Sequence, residues 1–144
     1  MIPWAVLTIL TALAAVWDAR ARIIPNPLSW IALGFGTALL LTRQWGWGHL
    51  AWAAGTWTVY DLAATWQPRS LGYGDVKWAT VIMGFLGATG FPVLLAGHLG
   101  AVVWATIAWW RQGRPGPWRE AAGPWAPGAF VGLLLLGPFV GGRV

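Results

Sequence analysis

Six runs of predominantly apolar residues, separated by short polar or Gly- and Pro-bearing breaks, make up most of this sequence. Each run approaches the roughly 17–25 residues that a helix needs to cross a bilayer. Charged residues are only 9% of the chain, whereas an ordinary soluble domain carries about 25%. We therefore predict an all-α, polytopic membrane protein with six transmembrane helices in a single domain, residues 1–144. The predicted spans are Ile2–Trp17, Leu28–Thr42, His49–Trp66, Asp75–Thr89, Phe91–Trp110 and Pro124–Val140.

The basic residues predict how these spans are oriented. No Lys or Arg precedes Arg20, so we expect the first run to be a retained span and not a cleaved signal. With the N-terminus outside, the basic residues on the cytoplasmic side are Arg20, Arg22, Arg69, Lys77, Arg111, Arg114 and Arg119. Only Arg43 and Arg143 then lie outside. The positive-inside rule favours this arrangement, with both termini outside the cytoplasmic membrane.

Several classes of function are not expected from the composition. The chain has no cysteine, which excludes disulfides, thiolate zinc sites and a cysteine nucleophile. His49 and His98 lie in different runs and are interpreted as interface or interior polar residues, so we predict no metal and no cofactor. The basic residues are scattered singly between apolar runs, and the bilayer explains the net charge of +5 better than nucleic acid does.

The four acidic residues carry most of the chemical information. Glu120 lies in a basic loop and is predicted to be a surface residue. The other three, Asp18, Asp61 and Asp75, lie in or beside apolar runs. An ionised carboxylate is costly to hold there, so its first interpretation is functional. The alternative is that each aspartate caps a helix or pairs with a nearby arginine.

Asp18 and Asp75 are predicted to lie at the same depth. Asp18 ends the first span and Asp75 begins the fourth, and these two spans cross the membrane in opposite directions. If the two helices pack together, their carboxylates approach each other and share one proton. One acid and one base are the groups needed to add water to a peptide bond.

The residues around Asp75 suggest a specialised turn. We expect Gly72 and Gly74 to adopt unusual dihedrals and to admit another chain closely, although they could equally form a plain turn before the helix. Tyr73 is a candidate for lining the site. Lys77 is two positions beyond Asp75, so on a helix it should point elsewhere and reach the cytoplasmic interface.

The break after the first span contains a predicted helix start. In RIIPNPL, Asn26 is a candidate N-cap, and Pro27 would be the first helical residue. We therefore expect the second helix to begin immediately after Asn26.

Two of these segments together resemble the type IV prepilin peptidase family and its archaeal preflagellin relatives. Those membrane aspartyl proteases have an Asp followed by basic residues and an Ile-Pro-Asn turn, and later a G-x-G-D-x-K motif. The matching residues here are Asp18, Arg20, Arg22, Ile24, Pro25, Asn26, Gly72, Gly74, Asp75 and Lys77. The segment Gly123–Gly132 is similar to the family's late Pro-Phe-Gly-Pro-Phe turn.

The resemblance implies an aspartyl endopeptidase whose catalytic pair is Asp18 and Asp75. It implies removal of a short basic leader from prepilin-like or pseudopilin-like precursors, after a glycine, on the cytoplasmic side. Many bacterial members also carry a cysteine-bearing insert linked to N-methylation of the new terminus. This chain lacks that insert, so we expect no methyltransferase activity.

Three other functions stay open on the sequence alone. One is a non-catalytic assembly or scaffold protein, whose function would survive both Asp18→Asn and Asp75→Asn. Presenilin-like proteases have a Tyr-Asp in the span before a G-x-G-D, so Asp61 competes with Asp18 as the partner of Asp75. The basic residues and Ile-Pro-Asn turn after Asp18 favour Asp18. A proton-coupled transporter would also use membrane carboxylates, but it prefers them near the midplane. The sequence leaves the oligomeric state open.

Overall fold

The computed structural model describes residues 2–21, 23–66, 72–111, 124 and 126–140 of the chain. These residues form six α-helices and one 3-10 turn, which confirms the all-α prediction. The helices are α1 (Ile2–Ala21), α2 (Asn26–Leu41), α3 (Trp47–Trp66), α4 (Tyr73–Leu86), α5 (Phe91–Arg111) and α6 (Ala126–Val140). Predictions made for Arg22, Arg69, Arg114, Arg119, Glu120, Gly123 and Arg143 fall outside the described residues.

Helix boundaries differ from the predicted spans where local backbone chemistry overrides apolar patterning. α1 continues beyond Trp17 to Ala21, so Asp18 lies in the last turn of the helix and is not its final residue. α4 begins at Tyr73, before Asp75. It ends at Leu86, short of Thr89, because Gly87 takes a φ of 55° and its N–H closes the helix on the Met83 carbonyl. That positive φ favours glycine, and a 3-10 turn, Gly87–Gly90, then leads into α5.

Within the part of the chain that the structure describes, two helical stretches are long and apolar enough to cross a membrane by themselves. They are Pro3–Ala21 and Tyr73–Arg111, the second comprising α4, the 3-10 turn and α5. The apolar helices Asn26–Leu41 and Ala126–Leu135 are shorter. Large apolar side chains are exposed around the bundle, among them Leu41, Trp47 and Trp66, as expected of a surface that faces lipid. Six membrane spans with both termini outside remain a prediction.

Helix α4 lies at the centre of the packing and contacts α1, α2, α3 and α5. Its side chains Trp78, Ile82 and Met83 are fully buried. Trp78 Nε1 donates a hydrogen bond of 3.3 Å to the buried Thr11 Oγ1 on α1. This polar pair joins α1 to α4 inside the apolar core, where a lost hydrogen bond would be costly.

Helix α6 packs against α5 at backbone contact distance. A Cβ placed on Gly128 would lie 2.6 Å from the Ala96 carbonyl oxygen and 3.0 Å from the Gly100 Cα. Such close approach is possible only because neither Gly100 nor Gly128 has a side chain. α6 also contacts α1, so its first turn is held between α1 and α5.

Candidate active site

Asp18 lies in the last turn of α1 and is buried, with 5% of its surface exposed. Its Oδ2 accepts a 2.9 Å hydrogen bond from the backbone N–H of Ala126, the first residue of α6. The packing of α1 on α6 brings these groups together from positions 108 residues apart. Asp18 therefore supplies the α6 N-terminus with a cap from another helix, which was one of the two interpretations left open by the sequence.

Asp75 is the third residue of α4 and is partly buried. Its Oδ2 accepts the N–H of Gly72 at 3.2 Å, and its own N–H donates to the Gly72 carbonyl at 3.0 Å. This bond is one half of a capping box, in which the side chain of the third helical residue binds the N-cap amide. The other half needs an N-cap side chain, which Gly72 does not have. The local cap sets the carboxylate at the very start of α4.

The two carboxylates come together at one end of the bundle. Asp75 lies within range of the charge of Asp18. The hydrogen bond between Trp78 and Thr11 lies farther along the same two helices. Trp78 follows Asp75 by three residues on α4, whereas Thr11 precedes Asp18 by seven residues on α1. The prediction that the first and fourth helices run in opposite directions agrees with these contacts. Two acidic groups that share a proton are the pair that acid–base hydrolysis requires.

Lys77 and Asn26 join the two sequence motifs directly. Lys77 Nζ donates a 2.7 Å hydrogen bond to Asn26 Oδ1 and stands 5.4 Å from the centre of the Tyr73 ring. The predicted capping role of Asn26 is wrong: α2 begins at Asn26 itself, its N-cap is Pro25, and Pro27 is the second helical residue. The Asn26 side chain binds Lys77 instead of the helix end.

We expect the bond between Lys77 and Asn26 to be measurable in a double-mutant cycle. Lys77→Met and Asn26→Leu should show a coupling of about 0.5–1 kcal/mol in the free energy of unfolding, because the bond is partly exposed. Unfolding in detergent micelles would measure it. Lys77→Met combined with Arg43→Met, beyond the opposite end of α2, is the additive control. Additivity of the first pair within about 0.3 kcal/mol would contradict the contact.

The two glycines before Asp75 do not have unusual dihedrals, and a Cβ on either would meet its neighbours at ordinary contact distance. Gly72 has a φ of −75° and a ψ of 147°, an extended backbone open to any residue. Among the described glycines, Gly87 is the one with a positive φ, so the predicted unusual dihedrals at Gly72 and Gly74 are wrong. A Cβ on Gly74 would contact the Ile24 side chain at 3.4 Å. What approaches this glycine is therefore the chain's own Ile-Pro-Asn turn.

Tyr60 and His98 are polar neighbours of the site that sequence analysis did not single out. Tyr60 lies within range of the Asp75 charge. His98 Nδ1 is 2.7 Å from the Leu94 carbonyl, which only accepts, so Nδ1 carries the proton. The Tyr60 hydroxyl therefore donates to His98 Nε2, at 3.4 Å. The sequence signal for Tyr60 is its place in the Tyr-Asp pair, directly before Asp61.

An apolar cleft of about 650 Å³ lies between α3 and α5. Tyr60, His98 and Thr56 are its polar lining, and residues such as Trp52 and Leu95 are its apolar walls. Among the described residues, no three His, Asp or Glu side chains come together as a metal-binding group.

One comparison with known proteins identifies a relationship. A model of the type IV leader peptidase family matches residues 5–108. The matched region contains Asp18, Asp61, Asp75 and Lys77 and ends before α6. No curated protein and no solved structure matches the chain.

Proposed function

The chain belongs to the type IV leader peptidase family, and from that premise we propose that it is an aspartyl endopeptidase of the cytoplasmic membrane. It removes the short basic leader of prepilin-like or pseudopilin-like precursors on the cytoplasmic side. Its catalytic residues are Asp18 and Asp75. It needs no cofactor and does not methylate the new N-terminus.

The observation that carries this proposal is the proximity of the two carboxylates. Asp18 and Asp75 come from helices that are far apart in sequence. The hydrogen bond between Trp78 and Thr11 holds these two helices together, and the two carboxylates are close enough to interact electrostatically. Holding two acids near each other inside an apolar bundle is unfavourable for folding, since neighbouring carboxylates cannot both ionise easily. A fold that retains such a pair is best explained by a reaction that uses it.

The reaction follows from one shared proton. The ionised carboxylate removes a proton from water, and the resulting hydroxide oxygen bonds to the carbonyl carbon of the scissile peptide. The protonated carboxyl gives its proton to the carbonyl oxygen, forming a gem-diol. The carboxyl that took the water proton then gives it to the amide nitrogen, while the other carboxylate takes a proton from a gem-diol hydroxyl. The C–N bond breaks to release an acid and an amine, and the pair returns to its starting state. The titration belongs to the pair, so neither role is assigned to one aspartate.

The apolar surroundings of the pair suit a membrane-bound substrate. The proposed substrate has a basic leader, a glycine before the cut and an apolar helix after it. With six spans and the N-terminus outside, Asp18, Asp75, Arg20 and Lys77 share the cytoplasmic side. The cut would then fall where the apolar helix of the precursor leaves the bilayer.

A designed precursor with these three parts tests the proposal. It is incubated with the protein in liposomes, and the N-terminus of the product is determined by mass spectrometry. We expect cleavage immediately after the glycine and a product without an added methyl group. Replacing that glycine by phenylalanine should block cleavage. If neither the designed precursor nor any natural prepilin-like precursor is cleaved, the proposed substrate class is wrong.

Asp61→Asn separates the proposed pair from the presenilin-like alternative. Asp61 is on α3, which packs against α4, so the alternative needs a test. We expect Asp61→Asn to keep kcat/KM within about threefold of the wild type, because general acid–base catalysis contributes 10²–10⁴-fold only where the group acts. Loss of cleavage in this variant, with Asp18→Asn still active, would assign the pair to Asp61 and Asp75.

A further inference from the structure

The hydrogen bond to Asp18 comes from a helix outside the family match. That match ends at residue 108, whereas the donor is the backbone N–H of Ala126, at the start of α6. Both partners are buried: Ala126 has no exposed surface and Asp18 has 5%. Water therefore does not replace this donor, and the carboxylate depends on the protein for it.

The place of this amide is set by backbone packing. Gly128, two residues after Ala126, touches the Gly100 and Ala96 backbone on α5. No flexible side chain separates the two helices there, so α6 cannot shift without opening a gap or a clash. The first turn of α6, which also contacts α1 through this bond, is consequently a rigid support.

We propose that α6 is part of the catalytic machinery and that the Ala126 amide is a positioning group for Asp18. The inference rests on the proposed function. The free N–H groups at a helix N-terminus are the positive end of the helix dipole, so they compensate for the lost hydration of a buried carboxylate. Binding one oxygen also fixes the plane of the carboxylate, and with it the direction in which Asp18 meets Asp75 and the attacking water.

Ala126→Pro removes this donor and puts the proline Cδ where the amide hydrogen stood, so the Asp18 carboxylate loses its hydrogen bond and must also move away. Proline lacks the N–H, and the first position of a helix is where proline is best accepted. Ala126→Val has a similar volume and keeps the N–H, so it controls for bulk. We expect kcat of the proline variant to be about tenfold lower than that of the valine variant. KM should stay alike in the two, because the amide contacts Asp18 and not the substrate.

Hydrogen exchange supplies a readout that does not depend on activity. Pro124 and Pro127 have no amide proton, so this segment reports only the Trp125 and Ala126 amides, which fragmentation in the mass spectrometer separates. In Asp18→Ala this amide should exchange at least tenfold faster, relative to the amides of α4, than in the wild type. In Asp18→Asn it should stay protected, because the asparagine oxygen still accepts the bond.

The two readouts separate the possible failures. Protection of Ala126 that does not depend on residue 18 would overturn the inference, and so would equal kcat in the proline and valine variants. If the designed precursor is not cleaved at all but the exchange result holds, the proposed function fails while the support of Asp18 by α6 stands. If all amides of Asp18→Ala exchange faster by the same factor, and the Ala126 amide no more than the others, that result also counts against the inference.

Discussion

Replacing Asp18 or Asp75 by asparagine is expected to lower kcat for precursor cleavage by about 10³-fold or more. An amide neither accepts a proton from water nor donates one to the scissile carbonyl. Each variant leaves one carboxyl without its partner, so the two losses should be similar. The double variant should be no worse than either single one, because the residues act as a unit.

Asparagine is the informative substitution because the structure gives each aspartate a second role. Asp18 accepts the Ala126 N–H and Asp75 accepts the Gly72 N–H, and an asparagine oxygen can accept either bond. Asp18→Asn should therefore change the free energy of unfolding by less than about 1 kcal/mol, whereas Asp18→Ala should lower it by about 1–2 kcal/mol.

Cleavage rates and unfolding measured on the same preparations distinguish catalysis from capping. If both asparagine variants keep more than a tenth of wild-type kcat, the aspartates are helix caps and the catalytic assignment is wrong. If Asp18→Asn is inactive only because it is unfolded, its unfolding curve and helical content will reveal that.

Gly128→Ala is expected to lower the free energy of unfolding by about 2–3 kcal/mol. The new Cβ would lie 2.6 Å from the Ala96 carbonyl oxygen and 3.0 Å from the Gly100 Cα. Both neighbours are backbone atoms, so no side chain can rotate away and α6 must move off α5. The Ala126 amide would move with it, and kcat should fall as well.

Gly34→Ala is the matched control for that substitution. Gly34 is also a helical glycine, on α2, but a Cβ there meets nothing within 4 Å. Its replacement should leave the free energy of unfolding unchanged or raise it by up to about 1 kcal/mol, since alanine is the better helix former. Unfolding in micelles that shows equal effects for the two variants would contradict the close packing of α5 and α6.

Secondary structure was largely predictable because each helix is encoded locally. All six apolar runs coincide with helices, and the errors lie at the ends, where a single residue decides. Gly87 stops α4 through its positive φ, and Pro25 takes the cap position expected of Asn26. Apolar periodicity carries no information about such positions, whereas φ preferences and competing hydrogen bonds do.

Contacts between distant side chains were not predictable in the same way. The motif residues pointed to Asp18, Asp75 and Lys77, but not to the bond between Lys77 and Asn26 or to the bond between Asp18 and Ala126. Lys77 was expected to face the interface, and its hydrogen-bonding partner lies 51 residues away. Such pairs depend on which helix faces meet, and similar apolar helices offer many faces of nearly equal hydrophobicity.

By itself the sequence determined that the chain is helical, that its few carboxylates are costly and hence informative, and that two of them belong to a leader peptidase motif. These properties reside in single residues and short spacings. The tertiary structure alone decided which groups surround those carboxylates. Only the packing of α6 between α1 and α5 brings a backbone amide from the end of the chain to Asp18. A hydrogen bond forms within about 3 Å, and distances of that kind arise only when whole helices have docked.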